Sequence, residues 1–72
     1  MVHIGDAIRQ EMLRQGRTAR WLAEQLSTDR TNIYKIFRKA SIDTALLLRI
    51  SAALGTDFFR LLSDDLNLPP RR

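Results

Sequence analysis

Cysteine is absent from the 72-residue chain. That removes disulfide frameworks and the usual structural zinc sites together. The single histidine, His3, reads as a terminal surface residue, and one imidazole cannot build a histidine-based metal or catalytic cluster. No Gly-rich phosphate loop is present, and no pair of carboxylates shares a helical face; Asp64-Asp65 sits next to the C-terminal tail and is expected in solvent. The chain therefore reads as a non-enzyme without metal or cofactor. No apolar run approaches the roughly 18 residues of a membrane span, and no signal peptide is visible. A soluble, cytoplasmic protein without membrane contact is expected. Val, Ile and Thr are never gathered into alternating runs, so no strand is expected either. No internal repeat is visible.

What remains is a chain 44% hydrophobic and 28% charged, an ordinary globular composition. A domain this small buries only about 60% of its unfolded surface, which leaves room for one core. No module that senses a small-molecule effector is expected. The net charge is +4, and it is unevenly placed. Residues 1–13 carry a net charge of −1 and residues 40–72 a net of 0, whereas residues 14–39 hold seven basic residues against Glu24 and Asp29. Clustered positive charge is the footprint of a polyanion partner, or else a solvated basic surface.

The apolar pattern is helical throughout. Ile4, Ala7, Ile8 and Met12 give a first helix over 4–15, with Gly16 placed for a left-handed C-terminal cap. Thr18 is placed to cap a second helix carrying Trp21, Leu22, Ala23 and Leu26, broken by Ser27-Thr28. Asp29 suits the cap of a third helix reaching Arg38 or Lys39, with Ile33, Ile36 and Phe37 inward. A fourth helix starts at Ser41 or Asp43 and ends at Leu54 before Gly55. Its inward face holds Thr44, Leu47, Ile50, Ser51 and Leu54, broadened by Leu46 and Leu48. Ala45, Arg49, Ala52 and Ala53 are left outward. Asp57 is placed to cap a last short helix with Phe58, Phe59, Leu61 and Leu62. The sequence predicts one all-α domain over residues 1–66 and a frayed tail over 67–72, where Pro69-Pro70 ends all periodicity.

Residues 17–38 carry the chemistry. Two short helices are separated by about three residues, and Ala23 is small where two helices must meet at a steep angle. The second would expose Arg30, Thr31, Tyr34, Lys35 and Arg38 opposite an aliphatic face. That is the pattern of a helix-turn-helix whose second helix enters the major groove.

Thr18-Ala19-Arg20-Trp21-Leu22-Ala23-Glu24-Gln25-Leu26 followed by Ser27 to Ile36 resembles the phage-lambda-repressor-like helix-turn-helix family, the Xre/Cro group. Leu47 to Phe58 looks like that family's fourth helix and its exit. The resemblance spans roughly residues 4–63. It implies a compact five-helix DNA-binding domain, with the helix-turn-helix formed by helices two and three. Three positions depart from the pattern. Ser27 stands where the turn usually has Gly, at a cost on the order of 1 kcal/mol if its φ is positive. Ala19 replaces a frequent Gln, and Phe37-Arg38-Lys39 replaces the usual Glu-x-Gly exit.

By family position, Arg30, Thr31, Tyr34 and Lys35 should face base edges. Arg30 and Lys35 match the guanine acceptors, and Thr31 suits a base, a phosphate or a thymine methyl. Tyr34 faces the bases or covers the core edge. Arg17, Thr18, Arg20, Asn32, Arg38 and Lys39 should meet phosphates. Trp21 is assigned to packing at the domain edge rather than to base stacking.

Leu13 lies opposite Ile4 on the helical wheel, and Phe59 and Leu62 crowd the last helix. These three residues mark a candidate dimer surface. The expected function is double-stranded DNA binding by a small transcriptional regulator, a repressor, acting as a homodimer. The alternative is a protein-interaction module, such as an antitoxin, that binds a regulatory protein partner through the same fold. RNA binding fits the charge but lacks the module signatures.

Overall fold

Side chains that satisfy free backbone groups set most of the helix starts. A computed structural model describes residues 1–66 and Leu68, and among them five helices run α1 (Ile4–Gln15), α2 (Ala19–Gln25), α3 (Arg30–Phe37), α4 (Thr44–Leu54) and α5 (Phe59–Asp65), with no strand. Thr18 Oγ1 accepts from the Trp21 amide at 3.0 Å, Asp29 Oδ1 from Asn32 at 3.0 Å and Asp43 Oδ1 from Leu46 at 2.7 Å. Each satisfies one orphan donor of a first helical turn. Asp43, not Ser41, thus starts α4. His3 is not a mere surface residue: its Nδ1 accepts from the Asp6 amide at 3.0 Å and caps α1. Asp57 accepts from Arg60 at 3.3 Å, but Phe58 stands between it and α5 and supplies no side-chain cap. At the other ends, Gly16 and Gly55 adopt φ of 69° and 61°, the left-handed conformation expected of Gly16 and now seen at Gly55 as well. Helix α3 stops at Phe37 with Arg38 as its C-cap, just short of the expected end. The predicted tail lies outside the described residues except for exposed Leu68.

The core draws Ile4, Ile8 and Met12 from α1, Leu22 and Ala23 from α2 with Leu26 at its end, Ile33 and Ile36 from α3, and Leu47, Ile50 and Leu54 from α4. Phe58 closes it ahead of α5. Helix α3 packs against both α1 and α2, and α4 packs against α2. The inward stripe of α4 is narrower than the sequence predicts. Leu48 is 62% exposed and Thr44 is exposed, whereas Ala53 packs against the core. A stripe widens only where neighbours cover both of its edges, and the Leu48 edge is left uncovered. Ser51 does face inward, and its hydroxyl is buried without a hydrogen-bond partner among the described residues.

Helix α1 also fixes where α3 ends. The Ile4 amide donates to the Ala40 carbonyl and the Gly5 amide to the Lys39 carbonyl, both at 2.9 Å. The first free amides of α1 are thereby satisfied by the segment leaving α3. Gly5 makes the approach close: a Cβ there would fall inside van der Waals contact with the Ile36 and Phe37 carbonyl oxygens.

Candidate nucleic-acid interface

Helix α3 has two unlike faces. Ile33 and Ile36 are buried and Phe37 is half-buried, so these positions anchor the helix. Arg30, Thr31, Tyr34, Lys35, Arg38 and Lys39 are all exposed. At about 100° per residue the inward and outward sets fall on opposite sides of one short cylinder. The Tyr34 ring meets Phe37 edge to face, with centroids 6.1 Å apart and planes at 72°. It remains 51% exposed, so the ring contacts Phe37 while half of the residue is open to solvent. The nearby acids are Asp29, whose Oδ1 caps α3, and Glu24, which pairs with Arg20 and lines a surface hollow together with Asp29 and Arg30. Among the described residues no ion pair engages Arg30, Lys35, Arg38 or Lys39.

The basic residues around α2 are differently placed. The Arg17 guanidinium lies 4.2 Å from the centroid of the Trp21 ring. This cation–π contact holds Arg17 against a half-buried indole, in keeping with a packing role for Trp21. Arg20 Nε lies 3.5 Å from Glu24 Oε1, one turn along the helix. Thr18 is committed as a cap through its oxygen, leaving its hydroxyl proton free to donate. Asn32 uses its amide locally, donating to Thr28 Oγ1 at 2.6 Å. Of the six predicted phosphate contacts, Arg38 and Lys39 are thus the two without a local partner among the described residues.

The turn joining α2 to α3 is a Schellman arrangement. Ser27 takes φ 54°, its amide donates to Glu24 O at 3.3 Å, and the Thr28 amide donates to Ala23 O at 2.9 Å. The departure from Gly noted at this position is accommodated without changing the turn, at the energetic cost of a left-handed non-Gly residue.

Three contributors escape a reading of the sequence alone. Gly5 sits on α1 but sets the seat of α3; the available signal is a glycine inside a helical pattern, which usually has a packing reason. Arg49 does face outward, yet its Nη2 donates to the Leu26 carbonyl at 2.8 Å, tying α4 to the end of α2. Thr28 orients Asn32. The Arg49 contact follows no local spacing rule, whereas Thr28 and Asn32 stand four positions apart, a spacing at which side chains can meet but which does not by itself select the partner.

Away from α3, Glu11 is the most perturbed acid. It accepts from Arg14 and Gln15, and these hydrogen bonds, Arg14's first, lower its pKa to about 2. The same bond raises the pKa of Arg14. Gln15 continues the chain of contacts to the Leu54 carbonyl at 2.9 Å. The candidate dimer residues are not alike. Leu13 is 62% exposed and Leu62 is exposed, on two different helices, whereas Phe59 is half-buried against the core. Comparison of the chain with family models, with curated proteins and with solved structures gives no match.

Proposed function

We propose that the protein is a small transcriptional regulator, a repressor, that binds double-stranded DNA sequence-specifically by inserting α3 into the major groove. One observation carries this reading. The exposed face of α3 holds Arg30, Thr31, Tyr34 and Lys35 with no acid between them, while its other face is locked into the core. A groove-reading helix needs both properties. In this reading α2 and α3 form a helix-turn-helix of the lambda-repressor-like kind. Arg30 offers its guanidinium edge to guanine O6 and N7, Lys35 donates to the same class of acceptor, and Thr31 and Tyr34 supply hydroxyls. Arg38 and Lys39 meet the phosphates, with Arg17, Thr18, Arg20 and Asn32 as the flanking set. The exposed Leu13 and Leu62 support a two-fold dimer, whose half-sites would lie one helical turn, roughly 34 Å, apart.

Selection of bound duplexes from a random pool, at two salt concentrations, tests the proposal. The expected result is a short symmetric motif. Five or six neutralised phosphates per subunit give a log–log salt slope of about −5. Sequence-blind recovery would sink specific readout. Absence of any duplex binding would favour the second reading, a module docking a protein partner such as a toxin. That reading draws on α5, which contributes no buried side chain and exposes Leu61 and Leu62, with Leu66 exposed at its end.

A further inference from the structure

A pocket of about 240 Å³ opens where the end of α2, the outer flank of α3 and the start of α4 converge. Its floor is apolar, made by Leu26, Ile36 and Leu46. Its walls carry three cations, Lys35, Lys39 and Arg49, and no carboxylate lines it. None of the three belongs to an ion pair among the described residues. Like charges are thus gathered over an apolar surface with no internal counter-charge, an arrangement that an anion would stabilise.

Two of the donors, Arg49 and Thr28, are also held in place. Arg49 commits one Nη2 bond to the Leu26 carbonyl at 2.8 Å, which fixes the guanidinium at the pocket while its other N–H groups remain available. Thr28 Oγ1 accepts from Asn32 at 2.6 Å, which leaves the Thr28 hydroxyl proton free to donate. A phosphate ester brings charge and strong acceptor oxygens, and a guanidinium fork matches its geometry. A carboxylate would bring a single charge to three cations. The apolar floor adds something that a bare inorganic ion does not use, a seat for an organic body. Drug-sized ligands occupy pockets of about 300–1,000 Å³, so this smaller one suits one ester group and the near part of its substituent.

We propose that this pocket is a phosphate-ester site, in which Lys35, Lys39 and Arg49 take the phosphate group and the Leu26–Ile36–Leu46 floor takes the adjoining organic part. The ester can come from a free nucleotide or from a nucleic-acid backbone. The site itself does not rest on the DNA-binding reading, because its residues and floor are defined without a duplex.

The test is a titration of the full chain with adenosine 5′-monophosphate, inorganic phosphate and adenosine, followed by amide NMR shifts. The monophosphate is expected to bind saturably, with shifts concentrated on residues 26–28, 32–39 and 46–49. Inorganic phosphate should bind more weakly, and adenosine should not bind. A Lys35→Gln/Lys39→Gln variant should lose affinity for the monophosphate by about tenfold or more, the scale of losing charge-assisted hydrogen bonds. Both side chains are exposed, so its melting temperature should hold. Arg49→Gln is the second variant; it removes the charge and, being two bonds shorter, also the bond to the Leu26 carbonyl, so its affinity is read together with its melting temperature.

A duplex titration separates the two sources. If a backbone phosphodiester fills the pocket, Arg49→Gln weakens duplex and monophosphate alike. If a free nucleotide fills it, Arg49→Gln weakens the monophosphate and leaves duplex affinity unchanged, although the two ligands compete through the shared Lys35 and Lys39. Shifts spread evenly over the basic surface, equal affinity for phosphate and monophosphate, or unchanged affinity in both variants would overturn the site. Failure of duplex binding alone would leave the monophosphate result standing and count only against the DNA reading.

Discussion

Helices α2 and α3 are adjacent, similar in length and both flanked by basic residues, yet they hold their charge in opposite ways. Around α2 the cations have partners: Arg17 lies over Trp21 and Arg20 pairs with Glu24. On α3, Arg30 and Lys35 have none among the described residues, nor do Arg38 and Lys39 beyond it. A cation with an internal partner must exchange it before meeting an external anion, whereas a free cation exchanges only water and counterions. Counts of arginine and lysine therefore do not by themselves describe the two surfaces. Among the described residues, the difference leaves the cations of α3 and its exit, rather than those of the α2 end, without an internal partner.

The comparison is broken most severely by removing the seat of α3. Gly5→Ala puts a methyl group against the Ile36 and Phe37 carbonyls, which are backbone atoms and cannot rotate away. Destabilisation of about 3 kcal/mol is expected in chemical denaturation, near the upper end for overpacking. A variant as stable as the parent would mean that α1 and α3 can separate without cost. Next in size is the contrast in binding. Arg30→Ala should relax one position of the selected DNA motif at a cost of about 1–3 kcal/mol. Arg20→Ala should weaken all duplexes alike, and less, because it already belongs to Glu24. Equal, sequence-blind losses in both variants would erase the distinction between the two helices.

The link between the helices gives a smaller effect. Ser27 holds a left-handed φ of 54° in the turn. Ser27→Gly should raise the unfolding free energy by up to about 1 kcal/mol, less the added flexibility of glycine in the unfolded chain. A thermal melt that drops instead would show that the serine side chain contributes more than its backbone strain costs.

Much of this architecture is legible in the sequence because it is local. Thr18, Asp29 and Asp43 reach an amide only three residues away, and the unlike faces of α3 follow from helical periodicity. What stays hidden depends on approach in space. Histidine is not among the preferred N-caps, so His3 gives no signal of its role. Gly5 matters only because the exit of α3 lies against it. Leu48 looks like core until the neighbours of α4 are known to leave one edge bare. The bond from Arg49 to Leu26 spans 23 positions, beyond any spacing rule. At the candidate site, exposure was readable from the sequence, but the local partners of Arg17 and Asn32 were not.

The smallest effect concerns the most firmly paired cation, Arg14. Its partner Glu11 is only 16% exposed and is held at a pKa of about 2, below its ordinary value of 4.5. A carboxyl whose pKa is lowered by folding contributes stability above its unfolded pKa and loses it as pH falls toward the folded one. The difference in melting temperature between the parent and Glu11→Gln should therefore be constant from neutral pH down to about 5, then shrink toward pH 2. A difference independent of pH would mean that the ion pair adds nothing beyond the hydrogen bonds glutamine can replace. At neutral pH, Arg14→Gln should leave duplex affinity nearly unchanged, although it removes the same unit of charge as a change on α3. Loss of affinity as large as that from Lys39→Gln would show that net charge alone governs binding, and the distinction between paired and free cations would fall with it.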